Sequence, residues 1–417
     1  MARNGLLKSA RDRRMYRYLI VLALILATVP CAWAEPAFRA SLGVSEEFND
    51  NVREQRNGKS DFVTSIRPSV GYRYEGPRLI FETDYKGRFS HYAKATRDTE
   101  LNHDFRGHGL LDAWRSFFFI DVTDTYRLVN RDTTRGDVID EDSTIDQIQQ
   151  NTFVLSPYIQ PRFGERMTLR TGYRYVNIWY NERGRSKNSH GGFADATYEL
   201  TDRTSMLAGY SYMHQTSSSD KLDRHIGYVG ASHTYAENSN VYAKVGPSYS
   251  KYSRSSTSKT SFYWDAGWNH DFGVVQSRFT TGVRYEDDPD TGNTYQRQYG
   301  ELRLSRRFER TTVSVFGRLE DYERASGGSS TKRTYTGISI DHELTQRLTG
   351  AVSISRDFQD RSSSETGRWF GNVSLKYALG EGFGAELWYR VKDSYTTGTT
   401  ARNFTVNRIG LQLSKQF

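Results

Sequence analysis

Charged side chains recur at every second position along much of this 417-residue chain. Glu82, Asp84, Lys86 and Arg88 form one such row. Arg170 with Arg174, Arg278 with Arg284, and Arg390 with Lys392 mark others. Arg303, Arg318, Lys376, Arg408, Asp265 and Glu386 fall at equivalent positions, as do Asp104 and Glu320. A guanidinium group offers a planar fork of donors that matches carboxylate and phosphate oxygens. Rows of such groups along a wet lumen suit the guidance of an anionic solute. The same rows equally suit cross-strand ion pairs that stiffen a wall. The sequence leaves both readings open, because it does not show which arginines are paired.

Other chemistries have less support. His108, His225 and His233 fall by parity on the charged face, but none sits beside a serine or paired acids in a motif. There is no HExxH and no glycine-rich phosphate loop. A non-enzyme is therefore expected, with no cofactor and no dedicated metal. The run Asp288-Pro289-Asp290-Thr291-Gly292-Asn293 has a faint calcium-loop look, yet lacks the terminal bidentate glutamate. A second acidic segment carries Asp137, Asp140, Glu141, Asp142 and Asp146 and reads as solvated surface acids. The one cysteine, Cys31, lies near the N-terminus, so the rest of the chain has no thiolate ligand or nucleophile.

The elements that must position these rows are strands. Leu79, Phe81, Thr83, Tyr85, Gly87 and Phe89 alternate with Ile80, Glu82, Asp84, Lys86 and Arg88. Successive side chains of a strand point to opposite faces, whereas a helix would mix the two sets around its circumference. The pattern returns at Phe262, Trp264, Ala266 and Trp268, at Phe279, Thr281, Val283 and Tyr285, and at Ala385, Leu387, Tyr389 and Val391. Connections also alternate. Short ones such as Phe163-Gly164-Glu165 and Gly380-Glu381-Gly382 exchange with longer polar ones such as Asn130 to Asp146. Short turns at one rim and long loops at the other describe an outer-membrane barrel. Nine short turns and ten long loops give about 20 strands, with 18–22 as the range. Open strand edges leave unpaired backbone groups that lipid does not tolerate, so the sheet must close. The fold class expected is an all-β, transmembrane, antiparallel up-and-down β-barrel. The longest loop, Asn130 to Asp146, is the candidate for folding inward.

The first 34 residues read as a cleaved signal peptide. Six basic residues precede an apolar run, Leu19 to Val29, that closes on Ala32-Trp33-Ala34. The run is too short for a helical span, which needs roughly 20 residues. Two domains follow from this: a signal peptide at 1–34 and a barrel at 35–417. Six of the 57 basic residues and one of the 49 acidic residues lie in 1–34, so the remainder carries a net charge of +3. With that, the compositional case for a nucleic-acid partner falls away. No stretch has 18 consecutive apolar residues, while aromatics reach 14%. A thin aromatic-rich face fits a lipid-facing wall with girdles at its two rims. The expected location is the bacterial outer membrane, with lipid and lipopolysaccharide as its surroundings.

At the other end, Ile409, Leu411 and Leu413 alternate into Phe417. This resembles the terminal strand by which outer-membrane proteins are recognised for insertion, although Lys415 departs from the usual apolar residue. The block Leu42-Gly43-Val44-Ser45-Glu46-Glu47-Phe48-Asn49-Asp50-Asn51-Val52 resembles the first strand of the barrels found with exopolysaccharide and exosortase (PEP-CTERM) systems. It is similar also to the capsular-polysaccharide β-barrel porins. The resemblance implies a porin-like barrel serving exopolysaccharide export or solute passage, in contact with polysaccharide-export machinery, and supplies no catalytic residues. The alternative is a non-transporting structural barrel, a sleeve or scaffold for a periplasmic or surface partner. The chain has no CxxCH, so any haem would come from that partner.

Overall fold

A computed structural model describes residues 37–139, 143–181, 185–217, 221–253, 257–324, 328, 330–398 and 403–417. The segment expected to be a signal peptide, with Ala32 and Ala34, lies outside the described residues, as do Asp140, Glu141 and Asp142.

One antiparallel sheet runs from Ala37–Asn49 to Phe404–Gln416 and closes on itself. The first strand pairs with Asp61–Glu75 on one side and with the last strand on the other, from Ser41 opposite Gln416 to Asn49 opposite Arg408. Of the 21 strand segments, the two-residue Arg162–Phe163 continues Gln147–Ile159 past Gln160 and Pro161, which leaves 20 strands in the barrel wall. The expected fold and strand count are both met. Closure leaves no edge at the seam, which is the condition for a sheet in lipid.

The period-two pattern sorts the side chains as expected over most of the wall. Val373, Leu375, Tyr377 and Leu379 are exposed on the outside, while Ser374 between them is buried. Ile409, Leu411, Leu413 and Phe417 are exposed on the same outer surface. With no core beneath them, these side chains form an apolar belt whose natural solvent is hydrocarbon. The short turns are tight, and several use left-handed residues. Gly382 is one such position (φ 76°), and a Cβ there would come within 2.5 Å of the Gln416 carbonyl.

The seam explains the Phe48–Val52 block physically. Asp50 accepts from the backbone and side-chain amides of Asn407, both at 2.7 Å, on the last strand. The buried Asn51 donates to the carbonyls of Gln55 and Thr405, at 2.7 and 3.1 Å, and accepts from the Gln55 amide. Two short polar side chains thus turn the chain and tie the first strand to the last.

One stretch departs from the regular wall. Thr257–Asp271 and Gln276–Asp287 pair only from Asp271 opposite Gln276 up to Asp265 opposite Gly282. Above that the ladder stops, while Gln276–Asp287 stays paired with Thr294–Arg307 up to Asp287 opposite Thr294. The upper hairpin leans into the barrel and its outer face is covered by the inner face of the preceding strands. Tyr285, expected in lipid, instead shares hydrogen bonds with Ser248 (2.8 Å) and Ser261 (3.4 Å) and lies under the Arg224 guanidinium, 3.4 Å from its ring centroid. Val283, also expected in lipid, is buried. Alternation is preserved here, but the apolar face meets protein rather than lipid.

Candidate functional site

Two inserts meet inside the half of the barrel that carries the long loops. The first is the segment after Phe118–Asn130, which makes a short 3-10 turn at Thr133–Arg135. Asp132 caps that turn by accepting from the Thr134 amide. The segment crosses to the far wall. Gln359 donates to the carbonyl and hydroxyl of Thr134 at 2.7 and 2.8 Å, Arg361 pairs with Asp132, and Arg318 pairs with Asp137 at 2.7 Å. The second insert is the tip of the leaning hairpin. Its Asp287 is held by Lys187, and its Asp290 by Arg131 at 3.2 Å. Thr133 donates to the Asp287 carbonyl (3.1 Å) and to the Asp288 carboxylate (3.4 Å), joining the inserts. The described part of the loop that follows Asn130, through Asp137, is therefore an inward constriction. The Asp288–Asn293 run is a turn whose acids hold protein donors: Asp288 accepts from the Thr291 amide and hydroxyl.

Asp137 sits on the first insert between cations. Burial alone would push its carboxyl up, but Arg297, Arg318 and Arg333 outweigh that and hold it below the ordinary carboxylate range.

Behind the inserts the far wall is a continuous ion-pair ladder. Glu320, with no exposed side-chain surface, is shared by Arg297, Arg333 (2.7 Å) and Arg318 (3.8 Å). Arg333 also meets Asp357 at 2.7 Å, and Asp357 meets Arg368 at 2.9 Å. Arg297 is held further by Glu286. Arg278 and Arg303, and Arg284 and Arg297, stand directly opposite each other across neighbouring strands. Like charges so placed repel, so the acids that interleave them are structural requirements.

The near wall is different. A cavity of about 880 Å³ lies between it and the inserts, lined among others by Gly43, Arg67, Lys86, Arg88, Arg390 and Gln412. The carboxylates that reach this cavity from the inserts, Asp137, Glu286 and Asp287, are turned to Arg318, Arg297 and Lys187. What remains is a crescent with a basic outer wall and an inner side made of the inserts.

The charged rows expected from sequence fall into distinct settings. Arg318 and Arg303 belong to the ladder through Glu301, at 2.7 and 3.9 Å. Arg170 meets Asp121 at 3.7 Å and stacks on Tyr158, 4.0 Å from its ring centroid. Arg174 stacks on Phe193, Arg284 on Tyr299, and Arg278 donates to Asn269 at 3.0 Å. Lys376 meets Glu386 at 3.8 Å, and Lys392 holds Glu54 at 2.8 Å. Asp265 accepts from Tyr242 at 3.1 Å, and Asp84 meets Arg39 at 3.5 Å. Glu82 stands opposite Arg73 and His108, and Lys86 opposite Asp104. Arg88 and Arg390 line the crescent, and Arg408 stands directly opposite Arg390. Arg67 and Gln412 were missed by the sequence reading. Arg67 precedes Pro68, and the Ser65–Arg67–Ser69 parity was its available signal.

The histidines correct another expectation. His225 packs against Tyr210, Tyr212 and Tyr249, of which Tyr210 and Tyr249 are exposed on the outer face. His233 bonds Thr204 at 2.9 Å on that face too. Only His108 of the three points inward, 3.3 Å from Asp121. Parity placed the first two wrongly because one residue of register moves a side chain through the wall.

No protein-family model matches the chain, and no curated protein matches it. Solved barrels are similar in outline. The copper transporter OprC aligns over 93% of this chain and 84% of its own, with a TM-score of 0.49 at 9% identity. The FrpB iron transporter from Neisseria meningitidis (F5-1 variant) aligns over 91% and 82%, with a TM-score of 0.48 at 10% identity. OccK2 (OpdF) from Pseudomonas aeruginosa aligns over 91% and 98%, with a TM-score of 0.43 at 12% identity. No residue role passes to this chain from barrels so distant. The closed barrel and its apolar belt themselves place the chain in the bacterial outer membrane.

Proposed function

We propose that the protein is a porin-like passage across the outer membrane, narrowed by its two inserts to the crescent along the basic wall. The observation that carries this is the cavity of about 880 Å³ left between the inserts and the near wall. A barrel of this strand number encloses a lumen too wide to fill with wall side chains alone. Inserts that narrow it without filling it are the mark of a selective passage. Planar-bilayer recording of the refolded protein tests this: steady current is expected, and a sealed membrane would overturn it.

Exopolysaccharide export is the finer reading. Its support is the likeness of the Leu42–Val52 block to the first strand of polysaccharide-associated barrels, so export machinery is the proposed partner. Loss of surface polysaccharide on gene deletion is expected. In the membrane, the outward acids and bases at the loop rim would meet lipopolysaccharide, and Ile409, Leu411, Leu413 and Phe417 would carry the insertion signal.

A specific observation favours a second reading, the structural sleeve. Thr133 and Arg131 lock the two inserts together across the mouth, and Lys187 ties the second of them to the wall. Absence of current together with a stably co-purifying partner would decide for it.

A further inference from the structure

We infer that Arg67, Arg88 and Arg390, with Gln412 and the open floor at Gly43, form a binding site for an oxyanion, a carboxylate or phosphate carried by the solute. The inference deepens the passage reading and rests on it.

The site spans the seam. Arg88 lies on Leu79–Tyr92, Arg67 on Asp61–Glu75, Gly43 on Ala37–Asn49, Gln412 on Phe404–Gln416 and Arg390 on Phe383–Thr396, five strands adjacent in the sheet. Gly43 is the residue directly opposite both Arg67 and Ser414. Having no side chain, it leaves a floor over which Arg67 reaches Gln412, Nη1 to Oε1 at 2.7 Å. A Cβ at Gly43 would lie 3.4 Å from the Gln412 amide nitrogen, in contact with the bridge along this floor.

The three arginines line two neighbouring cavities at once, the crescent and a smaller one of about 80 Å³ toward the mouth. They form a basic collar between them. Arg408 joins the upper cavity and faces Arg390 directly across the strand pair.

The carboxylates nearby are largely committed elsewhere. In the smaller cavity Glu54 holds Lys392 and Glu100 holds Arg97, which leaves Glu47. Among the described residues no carboxylate is in ion-pair contact with Arg67 or Arg88, and the Nε of Arg67 is buried without a hydrogen-bond partner.. The far wall shows the contrast, since Arg297, Arg318 and Arg333 there each meet at least one carboxylate. Guanidinium donors that converge on a wet cavity and outnumber the carboxylates beside them, Glu47 and Asp104, are a site for an external anion.

The test uses the full-length protein in detergent micelles. Trigalacturonate serves as the chain-borne carboxylate probe, inorganic phosphate as the free oxyanion, and maltotriose as the neutral control, all by titration calorimetry. Either anion should bind and maltotriose should not. Binding by trigalacturonate alone assigns the site to a chain, and equal binding by phosphate assigns it to free oxyanions. R67Q/R88Q should weaken binding at least about tenfold, the factor that follows from losing one charge-assisted hydrogen bond. R278Q on the opposite side of the barrel should leave it unchanged and serves as the folding control. No anion binding, or binding equal in R67Q/R88Q, overturns the site. Current through the barrel without anion binding overturns this inference and leaves the passage reading standing. Anion binding without current overturns the passage reading instead.

Discussion

Replacing Gln359 and Arg361 together with alanine should release the first insert from the far wall. Gln359 is buried and gives two hydrogen bonds to Thr134, at 2.7 and 2.8 Å. Neutral bonds of this kind contribute about 1 kcal/mol each. Arg361 adds a bond to the Thr134 hydroxyl at 3.1 Å and the pair with Asp132. Both side chains of that pair are 38% exposed, so it is screened and adds about 0.5 kcal/mol. The sum is about 3 kcal/mol, or about a hundredfold rise in the undocked share of the segment, at 1.4 kcal/mol per factor of ten. The remaining tethers, Arg318 to Asp137 and Thr133 to the hairpin tip, are untouched. The segment carries Arg131 and Arg135, so trypsin added to the outside of barrel-bearing vesicles reads its release. Cleavage tracks the open share when opening is fast. Cleavage there should quicken by up to about a hundredfold, and single-channel conductance should rise. A variant that keeps wild-type cleavage and conductance while folded would refute the claim that this wall holds the constriction.

The remaining predictions concern charge and the seam. Asp137 has its carboxyl pKa lowered by Arg297, Arg318 and Arg333, so its tether is fully present above the ordinary carboxylate value and is lost as pH falls through the lower, folded value. Conductance recorded against pH should therefore stay level from neutral to about pH 5 and change only in stronger acid; a step at pH 6 would contradict it. Glu320→Ala leaves Arg297 and Arg333 buried without their shared acid and should cost about 3–5 kcal/mol, read as a lower urea midpoint in micelles. Asn51→Ala removes the buried seam side chain and should cost about 1–3 kcal/mol, seen by the same unfolding series. His225→Ala, on the outer face, should leave both current and anion binding at wild-type levels.

The sequence made the wall legible because lipid imposes a strict rule on it. Every strand must alternate and every edge must close, so Leu79–Tyr92 or Phe383–Thr396 shows its two faces directly. The long 130–146 segment was identifiable as an insert by length alone. Its anchors were not, since Gln359 and Arg361 lie more than 200 positions from Asp132 and Thr134 and only the closed barrel brings them together. The leaning hairpin was hidden for another reason. Val283 and Tyr285 keep the apolar parity of a lipid face, and alternation does not record whether lipid or a second layer of protein covers it. The split between a paired far wall and a basic near wall was equally invisible, because both are written as arginines at alternate positions. Pairing depends on the register of neighbouring strands, as Glu320 shows by serving arginines on three of them.

The measurement that bears most directly on a passage along a basic wall is the reversal potential of the refolded barrel under a potassium chloride gradient. A steady current that favours chloride, and that loses this preference in R67Q/R88Q, is the predicted result. A sealed barrel, or a current that favours potassium and ignores those two arginines, would contradict it.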